Sequence, residues 1–303
     1  MEKKYKSESC KLKNKKMKKF FIKTICVSLI SFYFFKVEQA KPLVPYYYFP
    51  TIKNLQKESL SIGKNAYQLL YFGEFEKSLN LAKLAVKINN KDEKLWLILS
   101  EAQLANKLYE KALNSLNKAQ KINPDISEIY FVKSNIYLKI SQFKNAKTAL
   151  KKGLNIEPNN HKAIFQFGNI LLMEENYSEA IKFFDKSIKI EPNFWQAINN
   201  KGLAYFEKNN LDISIKLFKK AISIKENAEP LLALASCLKM KDIELALELA
   251  KKALNKDPNY VSYEYRKEQL WGAKLQTSTE ILLQNEDLKT DVILAKSKIN
   301  ESS

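Results

Sequence analysis

Six glycines and eight prolines in 303 residues are too few for the tight turns a β-rich chain of this length needs. Histidine occurs once, at His161, and arginine once, at Arg266. One histidine and three cysteines supply no ligand set for a metal centre. The sequence holds no His-Glu-x-x-His, Gly-x-Ser-x-Gly, Gly-x-x-x-x-Gly-Lys-Ser/Thr or Gly-x-Gly-x-x-Gly pattern. His161 reads as a solvent-facing residue at a helix start. Carboxylate pairs such as Glu174-Glu175 fall between predicted helices and read as solvated loop residues. Independent catalysis is therefore not expected, and neither is a cofactor. The near-absence of arginine removes the planar forks that read base edges and phosphates, which argues against nucleic acid as a partner. Cys10 and Cys26 lie in the N-terminal segment; once that segment is set aside, Cys237 has nothing to pair with and reads as a small buried apolar residue.

What the chain has instead is a period. Isoleucine stands at Ile88, Ile122, Ile156, Ile190 and Ile224, each 34 positions after the last, and proline follows two residues behind three of them, at Pro124, Pro158 and Pro192. A fixed period of this size means stacked supersecondary units. Units numbered from 1 to 34 begin at Ser59, Glu93, Ser127, His161 and Trp195, and a sixth begins two residues early at Asn227. Position 20 reads Ser78, Ala112, Ala146, Ala180, Ser214 and Ala246; position 27 reads Ala85, Ala119, Gly153, Ser187, Ala221 and Ala253. Position 8 is small in five units, at Ala66, Ser100, Ser134, Gly168 and Gly202, and becomes Leu234 in the sixth. Position 17 is large and apolar throughout: Phe75, Tyr109, Phe143, Tyr177, Leu211 and Ile243. Small residues let two helices approach while large ones fill the grooves beside them. Proline between units stops one helix, and the Asp or Asn after it (Asp125, Asn159, Asn193) is expected to cap the next. Each unit thus reads as a helical hairpin, A then B. The early start of the sixth unit, with Pro230 in its opening turn, predicts that the stack is least regular near residues 224–232.

This pattern resembles the tetratricopeptide repeat. Trp96 and Leu99 match the opening of one unit, Gly202 and Tyr205 match another, and Ala180, Phe184 and Pro192 match the second half of a third. The resemblance covers roughly residues 59–260. It implies an all-α, right-handed α-solenoid of about six hairpins (59–92, 93–126, 127–160, 161–194, 195–226 and 227–260). It also implies that helix A lines a concave groove with positions 2, 5, 9 and 12 facing inward. Here those positions include Lys94, Leu97 and Glu101; Phe131 and Asn135; Lys162, Phe165 and Asn169; and Gln196 and Asn199. The asparagines suit the backbone of an extended peptide, since an amide both donates and accepts. Phe131 and Phe165 share one slot and suit apolar side chains. Some family members clamp a C-terminal carboxylate with lysines, asparagines and an arginine on successive A helices. Phe131 stands where the first lysine would be, Gln196 and Asn200 replace the last basic pair, and only Asn135 matches, so no such clamp is expected.

The two ends of the chain read differently from the array. Residues 1–40 hold eleven lysines against Glu2, Glu8 and Glu38, and Ile25 to Phe35 is an eleven-residue uncharged run. A basic start before 7–15 apolar residues is the pattern of a signal peptide, with Met17 as an alternative start and Ala40 as a cleavage position. An uncleaved anchor over residues 20–35 is the rival reading, although sixteen residues interrupted by Lys23 fall short of the ~20 a spanning helix needs. Either way the repeats are expected on the non-cytoplasmic side, exported or membrane-anchored. Residues 41–58, with Tyr46, Tyr47, Tyr48 and Phe49 between prolines, read as a linker. Residues 261–303 read as a C-terminal cap: a helix over 261–284 with Trp271 on its apolar stripe, a last short helix over 287–299, and a fraying end.

The function these features imply is a non-catalytic scaffold that binds a protein or extended peptide segment in the groove and aids assembly of a membrane or envelope complex. Two alternatives remain open at this point: a substrate-recruiting partner of an enzyme on another chain, and a basic surface for lipid or polyanion, given the net charge of +18 carried almost wholly by lysine.

Overall fold

The structure, a computed structural model, describes residues 51–302. Among these, twelve helices form six hairpins: α1 (Ile52–Tyr71) with α2 (Phe75–Ile88), α3 (Glu93–Ala105) with α4 (Tyr109–Ile122), α5 (Ser127–Lys139) with α6 (Phe143–Ile156), α7 (His161–Met173) with α8 (Tyr177–Ile190), α9 (Trp195–Glu207) with α10 (Leu211–Ile224), and α11 (Ala228–Leu238) with α12 (Ile243–Lys256). Three further helices close the chain: α13 (Tyr263–Glu268), α14 (Ala273–Leu283) and α15 (Lys289–Ser302), with 3-10 turns at Pro258–Val261 and Glu286–Leu288. Odd-numbered helices from α1 to α11 are the A helices of their units. The expected signal or anchor segment, residues 1–40, lies outside the described residues, as does the linker up to residue 50. Residues 52–58, assigned above to the linker, instead form the opening turns of α1.

The small slots do what their size requires. Every residue at position 20 and every alanine or serine at position 27 is completely buried, and Ala66, Ser100 and Ser134 at position 8 are too. At such sites a helix backbone can approach its neighbour only if no side chain intervenes. Leu116, Leu150, Phe184 and Phe218, one per B helix, fill the space between at zero exposure. The apolar core runs in two clusters that meet on α5, where Ile129, Val132 and Ile136 face back toward the first hairpins and Phe131 faces onward.

The turn between A and B carries a second period that residue types alone do not reveal. Gly73, Lys107, Ser141, Glu175 and Asn209 stand 34 apart, and each has a positive φ, between 58° and 77°. In the second unit the amide of Leu108 donates to Gln103 O at 2.8 Å and that of Lys107 to Leu104 O at 2.9 Å, and the same pair of bonds recurs in the third, fourth and fifth units. Carbonyls left open at the end of helix A are closed in this way by one left-handed residue. Only the first unit spends a glycine on it. Glu175 sits here, exposed, and its neighbour Glu174 pairs with Lys147 at 2.7 Å, so this carboxylate pair is part of a turn.

The inter-unit caps differ from expectation by one residue. Asp125 and Asn193 do not cap; Ile126 and Phe194 occupy the N-cap positions and offer no side-chain acceptor. In the third linker the cap is Asn160, not Asn159. The proline consumes a turn position, and in the second linker Asn123 Oδ1 accepts from the amide of Asp125 at 3.1 Å, folding the chain over before the helix starts. At position 4, Trp96 and Tyr130 reach back to hold the loop ahead of them, donating to Asn90 O at 2.9 Å and Pro124 O at 3.0 Å.

The sixth unit departs from the period where expected. Its linker is Lys225–Asn227, α11 has 11 residues where α3, α5, α7 and α9 have 13, and the residue after it, Lys239, stays right-handed. Pro230 sits in the first turn of α11, where no intrahelical donor is needed. All eleven residues of α11 are buried. Cys237 is among them, and burial pushes its thiol up to about 12, so it serves as an apolar filler.

Candidate functional site

The A helices α3, α5, α7 and α9 present one face to a cavity of about 850 Å³, lined among others by Leu104, Lys107, Asn135, Leu138, Phe165, Gln166, Asn169, Met173, Gln196 and Asn200. Four of the sequence-derived site residues meet here: Asn135, Phe165, Asn169 and Gln196. The lining follows positions 2, 5, 6, 9, 12 and 13, a stripe of helical period one slot wider than positions 2, 5, 9 and 12.

The widening matters because position 6 carries half of an amide ladder. Gln166 Nε2 donates to Asn135 Oδ1 across α5 and α7, and Asn200 Nδ2 donates to Asn169 Oδ1 at 2.9 Å across α7 and α9. Each bond joins position 9 of one unit to position 6 of the next, a spacing of 31 residues. Asn199 Nδ2 extends the ladder to Asn200 Oδ1 at 3.0 Å. Gln166 was legible in principle as the residue 31 positions after Asn135, and Asn200 as the one 31 after Asn169. The ladder fixes side chains that otherwise rotate freely, and each amide keeps donors and acceptors beyond the bond that locks it.

The remaining expected site residues lie elsewhere. Lys94 and Lys162 are exposed and do not border the cavity; Leu97 is half-buried against the first apolar cluster. Phe131 is corrected from a groove residue to a core one. It is 8% exposed because its ring lies where a Cβ on Gly153 would stand, so helix A supplies the ring and helix B the gap. Phe165, at the same slot one unit on, meets Ser187 where the third unit has Gly153, and borders the groove with Phe184 at 5.8 Å and Phe194 edge-on at 5.0 Å. Asn199 is also corrected: it is fully buried, and its Oδ1 has no hydrogen-bond partner among the described residues. Glu101 is half-buried; burial first, and the charge of Glu128 second, push its carboxyl up to about 7. His161 is half-buried, with its ring edge-on to Phe194 at 5.1 Å and its carbonyl accepting from Ser187 at 2.9 Å, which corrects its reading as a solvent-facing residue.

Sequence reasoning missed how the groove ends. The cap does not only cover the last hairpin. Helix α15 packs on α12, while α14 turns inward and lies across the A helices α9 and α11. Glu207 of α9 caps α14, accepting from the amides of Leu275 at 3.0 Å and Lys274 at 3.2 Å, and the Lys274 ammonium donates to Glu207 O at 2.7 Å. Gly272 permits this, since any Cβ there would collide with the Glu207 carboxyl. Ser236 and Thr279 share a hydroxyl bond at 2.7 Å. The cap is itself pinned by Arg266, completely buried, which donates to Tyr260 O at 2.7 Å, to Gln276 Oε1 at 2.9 Å and to Glu280. Trp271, expected on the apolar stripe of the cap, is 4% exposed within it and donates to Glu229 Oε1 at 3.3 Å. The turn Glu268–Gln269–Leu270 then forms the far wall of the groove beside Glu229. The cation-carrying residues that border the groove, Lys107 and Lys139, come from its other half.

Among the described residues no helix is long and apolar enough to cross a membrane, and no group of three potential metal ligands occurs. Family-model comparison matches the tetratricopeptide repeat to residues 93–126, 127–160, 161–194 and 196–227. The first and sixth hairpins lie outside those matches yet bury the same small slots. No curated protein matches the chain. Among solved structures, pilF of Pseudomonas aeruginosa is similar over 72% of this chain and 98% of its own, at 14% identity and a TM-score of 0.60. MamA residues 41-end from Desulfovibrio magneticus RS-1 is similar over 58% and 97%, at 19% identity and a TM-score of 0.51. Likeness at these identities speaks to the fold.

Proposed function

We propose that this chain, a tetratricopeptide-repeat protein, holds an extended segment of a partner protein in the groove between α3 and the cap. Repeats of this kind are protein-interaction scaffolds. The observation that carries the reading is the amide ladder Asn135–Gln166 and Asn169–Asn200–Asn199, laid along an otherwise apolar floor of Leu138, Phe165 and Met173. A β-like segment presents a donor and an acceptor at every residue and leaves alternate side chains for pockets. The ladder spans three A helices, and two spacings of 8–10 Å give it a length of about 16–20 Å, enough for roughly five to six extended residues.

The biological role that fits is assembly of a membrane or envelope complex, with the repeats exported or tethered through residues 20–35. That part rests on the N-terminal sequence alone, and N-terminal sequencing of the mature protein tests it: a chain beginning at Met1 or Met17 in a soluble cytosolic fraction ends it.

The groove reading is tested by joint alanine substitution of Asn135, Phe165, Asn169 and Gln196, followed by crosslinking capture from native membranes with mass spectrometry. Partner capture should be lost while helical circular dichroism is retained. Undiminished capture moves the site off this face.

A further inference from the structure

We infer that the closed end of the groove is a cation subsite, which takes the ε-ammonium of a lysine side chain on the docked segment against Glu229 and Glu268. This deepens the groove reading above and rests on it. The first ground is the wall. Because Glu268–Leu270 stands across the groove, a segment lying along the amide ladder meets two carboxylate side chains and has no further floor to follow.

The second ground is the acceptor surplus. Glu229 is 9% exposed and borders the cavity, yet no ammonium or guanidinium among the described residues is paired with it. Its partners are the neutral donors Trp271 Nε1, at 3.3 Å, and the Asn199 amide. Behind it the Asn199 Oδ1, sealed from the cavity, has no donor among the described residues, so this end of the groove is short of donors. A carboxylate bordering the cavity and a second one on its wall call for a group with N–H donors and positive charge. Burial pushes the Glu229 carboxyl up to about 7, the expected cost of a buried carboxylate held only by neutral groups. The titratable groups that face it from the cap are Tyr260 and Tyr265, both held above the ordinary phenol range by burial first, with the Glu229 charge adding to it.

The third ground is polarity along the groove. The cations that border it, Lys107 and Lys139, belong to the α3 and α5 half, and the carboxylates to the cap end. A lysine at the wall therefore meets complementary charge only in one direction of threading. A side chain suits the site better than a chain terminus. Glu229 is recessed behind Leu270 and Trp271, and a flexible four-carbon stem reaches a recessed carboxylate while packing its methylenes on such apolar walls.

The test uses the full chain and fluorescein-labelled eight-residue peptide libraries that fix one residue at each position in turn. Libraries fixed with lysine near one end should bind about tenfold or more tightly than libraries fixed with norleucine, an apolar isostere of the stem. N-terminal acetylation should leave the affinity unchanged. Glu229→Gln should abolish the preference while a cooperative melt is retained, and Glu268→Gln, on the exposed wall, should weaken it without touching the core. Equal binding of lysine and norleucine libraries, a preference that survives both variants, or a preference that vanishes on acetylation overturns the inference while leaving the groove in place. If no library binds, the groove reading fails, and this inference fails with it.

Discussion

The hairpins from α3 to α10 and the sixth hairpin differ in how they become buried. In the middle of the stack each A helix is covered by the hairpins before and after it and keeps its inner face open to the groove. On α11 all eleven residues are buried, because α14 of the same chain lies on the inner face, and only Glu229 reaches the groove. The first A helix, α1, is the opposite extreme. Only Ser59, Gly63 and Ala66 are buried, and Tyr67, Tyr71 and Phe72 are more than half exposed. The same hairpin plan thus yields an exposed helix, a half-open helix or a core helix according to how many neighbours it has. A groove with one walled end results, and its wall is charged.

The sharpest way to break this comparison is to deny the middle its close approach. Ala146→Trp with Ala180→Trp inserts two indoles at slots with no free volume and should cost more than about 4 kcal/mol, abolishing the cooperative thermal transition. A parent-like melt would mean that nesting at position 20 does not hold the stack together. The walled end is probed next, by pH. The Glu229 carboxyl is raised from 4.5 to about 7 in the fold, so the folded state holds its proton more tightly than the unfolded chain does. Stability from this group is complete below pH 4.5, falls as pH rises toward 7, and is flat above. The loss is on the order of 3 kcal/mol. Denaturant titrations of Glu229→Gln across that range should show this component of the slope gone, and a slope equal to that of the parent would remove the claim. The smallest effect concerns the A–B turns. Glu175→Gly relieves a non-glycine left-handed residue and should raise stability by about 1 kcal/mol, while Gly73→Ala should lower it by a similar amount. Opposite signs in the two melts are the check.

Much of this architecture was legible residue by residue. Alanine, serine or glycine at positions 8, 20 and 27 announced where helices touch, and the shortened linker before Asn227 announced where the regularity ends. The site was legible only in part, because facing direction changes with local packing. Phe131 and Phe165 occupy one slot, and the gap at Gly153 admits the first ring where the next unit has Ser187. The position-6 amides escaped because Gln166 and Asn200 gain their role only through a partner 31 residues away. The cap's course was not legible at all. An amphipathic stretch tells that it will be covered, not by what, and the contacts that fold α14 into the groove span 42 to 68 residues of sequence.

The sequence by itself determined the repeating hairpin and its period, because helix contact demands small residues at fixed spacing. Only the tertiary structure decided which amides pair, which ring turns to the groove, and that the chain's own tail walls off one end with Glu229 and Glu268. Those outcomes depend on which distant surface wins the competition to bury a given face, and no local spacing encodes that.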